Sequence, residues 1–451
     1  MYAALTLAKA GKKVTLLEKE EVTGGLARGH KRGENFYDLG CHMLHAFDKE
    51  IFETIKGIMG EERIEVPLNA TIKWAGAFYR YPLQFGDMVK GMPKIMLIRC
   101  SVGLLWYQFL NKLNPKEPQN AEDALIQLYG KPLYRFFFKD FTENYWGFPT
   151  TELSATFITT KMPRLSAVDV IKKALGKFGL KEKEGGAVES ALAEETLHYS
   201  RNGAEGMARC LAGEIEKLGC RVITNAEVCG IRREGDRIAS ITYRDTQEEG
   251  VEEHEISCEE VISTIPIHDF VKASGDLAPA EVLEAADQLR TKPIAVYGLL
   301  VNKEKAINSL YIYYRSRCFH RVGEPKNAGL TVRPADHTVL IVETTCEVGD
   351  DKWNGDQSFI DKIAADLEDE GICKKEEIVE THVLRTQHGY PVFGLGFEPH
   401  LKAVQDFVGS LENVRSVGRQ GGFCYPNMHS AMRMGADAAD EILKQEATSS
   451  T

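Results

Sequence analysis

Nowhere among its 451 residues does the sequence contain a G-x-G-x-x-G loop, so no phosphate-cradling turn can be read from it directly. It also lacks any C-x-x-C pair. Its ten cysteines stand singly, from Cys41 to Cys424, which excludes a zinc-knuckle spacing and a thioredoxin-like motif. Free thiols in a reducing cytoplasm are the expectation. No His, Cys, Asp or Glu cluster has metal-ligand spacing, so no metal is expected, and there is no G-x-S-x-G nucleophile elbow. Positive charge is in deficit: the formal net charge is −11, the wrong sign for a nucleic-acid-binding face. Long apolar runs are missing too. The most apolar stretch, residues 95–110, is interrupted by Arg99 and is too short to span a bilayer. It reads as a buried helix in preference to a membrane-surface one. The N-terminus has neither the basic start nor the cleavage site of an export signal.

What is present is ordinary globular material, 43% hydrophobic and 27% charged. Its quantity suits two interleaved domains. Residues 2–10 read as a helix ended by Gly11. Val14-Thr-Leu-Leu17 then reads as a strand covered on both faces, closed by Glu18. Helix, glycine, strand and terminal acid make the second half of a βαβ dinucleotide-binding unit, in which the acid accepts hydrogen bonds from the adenosine ribose. The first half would lie before Met1. Either Met1 is an internal methionine of a longer protein, which is the expectation, or a product without that strand would leave its neighbours' ladder groups unpaired.

After the strand come Gly24-Gly25-Leu-Ala-Arg28 and then Asp38-Leu-Gly40-Cys-His42. These two segments resemble the "GG-x-x-R" and "D-x-G-x-H" patches of the FAD-dependent amine oxidase and protoporphyrinogen oxidase superfamily. Further pieces occur in the same order: Asn144 to Ser154 with Trp146-Gly-Phe-Pro, Gly203 and Gly206 before a helix, and the strand carrying Val228. Glu259 to Pro266, Gly418-Arg419 and Gly435-Ala-Asp follow. Within that group the chain is similar to UDP-galactopyranose mutase-like flavoproteins, through Trp146 to Thr151, His388-Gly-Tyr-Pro391 and Gly418-Arg419 followed by Tyr425. It departs from them where Lys161 stands in place of a diphosphate-binding arginine, and lysine loses the bidentate fork.

The resemblance implies an α/β fold: a Rossmann-like FAD-binding domain, lacking its first strand and glycine loop, with an interleaved α+β substrate domain. The FAD-binding parts are expected at 1–46, 199–270 and 413–451. The substrate domain is expected to be largely helical over 47–198 and strand-rich over 271–412. It implies FAD contacts by Glu18, Gly24, Gly25, Arg28, His42, Val228, Gly418, Arg419 and Gly435, the last opening a helix aimed at the flavin. Trp146, Lys161, Tyr311, Arg321 and Tyr425 are the expected substrate contacts, with His42, Arg321 and Tyr425 as the catalytic set. His320 reads as an exposed strand residue, and the charged runs 181–195 and 248–255 as solvated faces or loops. The leading functional reading is a cytoplasmic FAD-dependent oxidoreductase acting on a small molecule. A redox-neutral, UDP-galactopyranose mutase-like enzyme acting on a nucleotide sugar is the alternative, and a truncated non-catalytic relative the second.

Overall fold

The computed structural model describes residues 1–81, 83, 85–161, 196–247 and 252–449. Two short parallel strand pairs tie distant stretches of chain together. Thr15–Leu17 pairs with Arg221–Ile223, and Val261–Ser263 pairs with Val414–Ser416. The Tyr2–Lys9 helix packs against the Met428–Ser449 helix, and Gly435 makes that approach feasible. A Cβ there would lie 3.3 Å from the Ala3 backbone nitrogen. Gly435 therefore does not open a helix, as the sequence reading expected. It sits within one, as a close-packing residue.

Among the described residues the largest sheet has seven strands, in the order Ile378–Pro391, Thr291–Val301, Thr338–Thr345, Arg321–Gly323, Tyr311–Tyr314, Ala70–Trp74 and Ala77–Tyr81. Only the Tyr311–Tyr314 and Ala70–Trp74 pairing is parallel. The register sets Tyr313 opposite Arg321 and Arg321 opposite Glu343, so three polar side chains form one row across three strands. Val296, Val339 and Ile341 carry the core on one face of this sheet, against Tyr37, Leu39 and Tyr199. The other face buries Tyr297, Leu340 and Val342 against the Gln357–Asp369 helix.

The fit of that core is tight at Gly298. A Cβ there would stand 2.4 Å from Cδ1 of Tyr37, whose side chain is fully buried. Gly298→Ala is expected to cost about 1–3 kcal/mol through overpacking. An unchanged urea midpoint would show that the ring can step aside.

The structure corrects several expectations. The 47–198 stretch is not helical throughout. Arg63–Pro67 pairs with Thr196–Ser200, and the hairpin Ala70–Trp74/Ala77–Tyr81 extends the large sheet. Its turn residues, Ala75 and Gly76, have φ of 50° and 78°, as a two-residue primed turn requires. Ala-Gly is not the usual Asn-Gly signal, so the hairpin went unread. The apolar stretch does form a helix, Lys94–Leu113, but one face of it is exposed among the described residues. Part of the acidic run belongs to the edge strand Glu253–Ser257, while the run 181–195 lies outside the described residues.

Candidate functional site

Glu18 stands where the Thr15–Leu17 strand ends. Its backbone N–H donates to the Ile223 carbonyl at 2.9 Å, and its own carbonyl accepts from the Ala226 N–H at 2.8 Å. This pins the acid beside the strand Ala226–Glu234 that carries Val228, at a register shift of that strand. Burial raises the pKa of the Glu18 carboxyl, against the N–H of Glu20 and the charge of Arg28, which favour the ionised form.

The glycine patch follows. Gly24 and Gly25 have φ of 119° and 58°, in the left-handed region where glycine is unstrained. A Cβ on Gly25 would meet none of the described residues within 4 Å, so among them the backbone there faces open space. Arg28 folds back under this turn. Its Nη1 donates to the Gly25 carbonyl at 2.9 Å, and its Nη2 lies 3.3 Å from Glu20 Oε1. It is buried and braces the turn with at least part of its fork.

Asp38 anchors the next segment. Its carboxylate accepts from the Tyr199 hydroxyl and from the Ala204 N–H at 2.9 Å, the latter at the start of the Gly203–Lys217 helix. Burial pushes this carboxyl up to about 7. Gly40, with φ of 110°, then lets the chain pass between two side chains. A Cβ on it would lie 3.1 Å from His42 Cε1 and 3.4 Å from Glu343 Oε2. His42 is held neutral: burial, with the charges of Arg419 and Arg321, lowers it to about 4, against Glu343. Among the described residues its buried Nδ1 has no partner in hydrogen-bond geometry, with the Gly40 backbone acting on the ring. An orphaned buried donor or acceptor is costly, and a ligand atom would satisfy it.

Arg419 lies in the short Gly418–Gly421 helix. Gly418 has φ of 81° and, among the described residues, open space on its Cβ side. The Arg419 Nη2 donates to the Pro426 carbonyl at 3.1 Å, and its guanidinium stands 5.4 Å from the Tyr390 ring. Tyr390 stacks on Tyr425 at 5.7 Å and 12°, and Tyr425 donates to the Pro391 carbonyl at 2.6 Å.

Beyond this aromatic pair lies a cavity of about 70 Å³, lined among others by Tyr145, Tyr313, Tyr390, His320, Arg321 and Glu343. Arg321 is committed there. Its Nε and Nη2 both donate to Glu343 at 2.6 Å, a bidentate pair, and Nη1 reaches the Tyr313 hydroxyl at 3.3 Å. Its guanidinium also lies 5.2 Å from the ring of Tyr311. Glu343 further accepts the Cys41 N–H at 3.2 Å, which couples the His42 segment to the cavity.

The expected site residues thus fall into two groups. Glu18, Gly24, Gly25, Arg28 and Val228 gather around one strand end. His42, Arg321, Arg419 and Tyr425 gather around the aromatic pair. Trp146 is only 2% exposed and packs edge-on against Phe157 and Tyr425, so it is core and no open platform. Lys161 closes the helix Ala155–Lys161, and its side chain lies outside the described residues. His320 is buried, not exposed, with Nε2 2.8 Å from the Thr345 hydroxyl.

Glu343 and Asp38 were missed as polar anchors. Glu343 had one signal, an acid directly after the unbroken apolar run Val339–Val342 within the Thr338–Thr345 strand. His268, Asp269 and His388 also come together. Among the described residues, they are the group whose ligand atoms, within 4.8 Å of one another, are close enough for a metal. They stand on a helix and a distant strand, which sequence spacing does not reveal.

Residues 1–324 match the family model described as flavin containing amine oxidoreductase. Among solved structures, that of reduced UDP-galactopyranose mutase superposes with a TM-score of 0.79 at 17% identity, covering 98% of this chain and 91% of that one. A structure assigned as a protoporphyrinogen oxidase from Exiguobacterium sp. 255-15 gives 0.66 at 15%, covering 98% and 96%. Putrescine oxidase bound to putrescine gives 0.60 at 15%, covering 98% and 96%. At these identities the likeness is one of fold.

Proposed function

The chain belongs to the flavin containing amine oxidoreductase family, and on that premise we propose that it oxidises a neutral or cationic small molecule in the chamber walled by Tyr145, Tyr313 and Tyr390. As a member of that family it is an FAD-dependent enzyme. FAD, when bound, supplies the hydride acceptor, while the protein supplies position and electrostatics.

The residues present fit such a group. Glu18 would accept from the ribose, and the open backbone at Gly25 and Gly418 would offer N–H groups to phosphate. Val228 would stand on the adenine side, Arg419 would offset negative charge, and His42, held neutral, would face the flavin. Glu18→Ala is expected to weaken FAD binding by about tenfold to a hundredfold, the worth of a charge-assisted hydrogen bond. Reconstitution of the flavin-free protein measures this, and an unchanged dissociation constant would remove Glu18 from the site.

One observation carries the substrate reading: Arg321 is neutralised by Glu343. A cavity whose arginine already holds a bidentate carboxylate offers little net positive charge to a diphosphate. The three tyrosines that line it instead present apolar ring faces with hydroxyls, suited to a small carbon substrate.

A mutase reading draws support from Tyr311, Arg321 and Tyr425, which lie near the same chamber, and from the fold likeness. Two measurements separate the readings. Oxygen consumption with a panel of small neutral and cationic compounds, together with no heat of binding on titration with uridine diphosphate, is expected. Uridine diphosphate binding, with redox-neutral interconversion of its galactose esters, would replace the proposal.

A further inference from the structure

The Lys94–Leu113 helix has two unlike faces. Cys100 and Leu104 are buried, 3% and 5% exposed, and turn toward the body of the protein. Ile95, Ile98, Val102, Trp106, Phe109 and Leu113 point the other way, each more than half exposed among the described residues. Their spacing keeps them on one stripe at 3.6 residues per turn, about 27 Å long at 1.5 Å per residue. Exposed apolar area on this scale marks an interaction site.

Charge indicates what covers it. Between Asp87 and Glu117 there is no acidic residue, whereas Lys90, Lys94, Arg99, Lys112 and Lys116 are all present in a chain whose net charge is −11. All five cations are exposed. A second copy docking through this face by two-fold symmetry would set these cations against themselves. An anionic surface would not. The helix cannot cross a bilayer, because its other face is buried in the protein and Arg99 interrupts it. Among the described residues, no helix is long and apolar enough to span. An aromatic and aliphatic face flanked by Lys and Arg is the composition of a helix lying in a membrane interface.

We propose that this helix docks the protein flat onto an anionic lipid surface, its apolar stripe entering the headgroup boundary and its cations meeting lipid phosphates. The proposal is independent of the reading of the active site. Co-sedimentation of the full-length holoprotein with phosphatidylcholine vesicles, or with an equimolar mixture of phosphatidylcholine and phosphatidylglycerol, tests it. Partitioning is expected to be about tenfold stronger, or more, on the anionic vesicles and to fall as salt is raised.

Ile98→Glu combined with Trp106→Glu should abolish sedimentation. Lys94→Ala combined with Lys112→Ala should remove the anionic preference. All four positions are exposed, so flavin absorbance and melting temperature should stay as in the parent and certify the fold. Wild-type protein that remains in the supernatant overturns the proposal, as does binding that the glutamate substitutions leave unchanged. A dimer by light scattering that Trp106→Glu dissociates, without vesicle binding, assigns the face to a second copy and overturns it equally.

Discussion

Glu343→Ala is expected to destabilise the protein by about 3–5 kcal/mol, the cost of leaving a buried charge without its partner. The side chains of Arg321 and Glu343 are 15% and 12% exposed, so water can solvate neither fully. The carboxylate takes two guanidinium N–H groups at 2.6 Å and the Cys41 N–H at 3.2 Å. Removing it strands all three donors. Urea unfolding of the holoprotein measures the loss. Replacing both partners together, Arg321→Leu with Glu343→Leu, should recover much of it, because no lone charge remains to be desolvated. If Glu343→Ala alone stayed within about 1 kcal/mol of wild type, the pair would be behaving as an exposed one. Arg321 would then be available to a diphosphate.

The second large effect is a pH dependence centred on Asp38. Its ordinary value is 3.8, and burial raises it to about 7 in the folded protein, against the hydrogen bonds from Tyr199 and Ala204. Between these values the folded state keeps a proton that the unfolded chain gives up. The stability contributed by the neutral carboxyl is therefore complete below about pH 4 and is lost as pH rises toward about 7. At about 1.4 kcal/mol per tenfold change in proton affinity, the loss comes to roughly 4 kcal/mol.

His42 works in the opposite direction. Its value is lowered from 6.5 to about 4, so its contribution is gained as pH rises across that window. The informative quantity is thus the difference between wild type and Asp38→Asn, followed by urea unfolding from pH 4 to pH 8. That difference should slope downward with pH and flatten above about 7. A flat difference would mean that Asp38 is ionised in the folded state throughout.

Both predictions rest on contacts between residues far apart in the chain, and there legibility in the sequence divides. The apolar strand ending in Glu18, the left-handed glycines at 24 and 25, and the Gly418-Arg419 turn could all be read. Each is a local pattern whose geometry follows from backbone sterics within a few residues. The strand-rich character of residues 291–345 was visible for the same reason. The hairpin at residues 70–81 was not, since its turn uses Ala75 where a stronger signal was expected. The exposed face of the Lys94–Leu113 helix was also hidden. An apolar stripe predicts that something will cover it, but not whether that cover is the protein's own core.

From the sequence alone followed the order of the family's motifs, the acid and glycines suited to a dinucleotide, and a charge balance opposed to nucleic acid. The tertiary structure decided how charges were paired. Arg321 reads in the chain as a free cation, and only the register between strands sets it opposite Glu343. It likewise decided that His42 is neutral and Asp38 proton-retaining, because desolvation depends on neighbours supplied by remote segments. Local chemistry is written in neighbouring residues. Charge state and access depend on packing, which no short window of sequence contains.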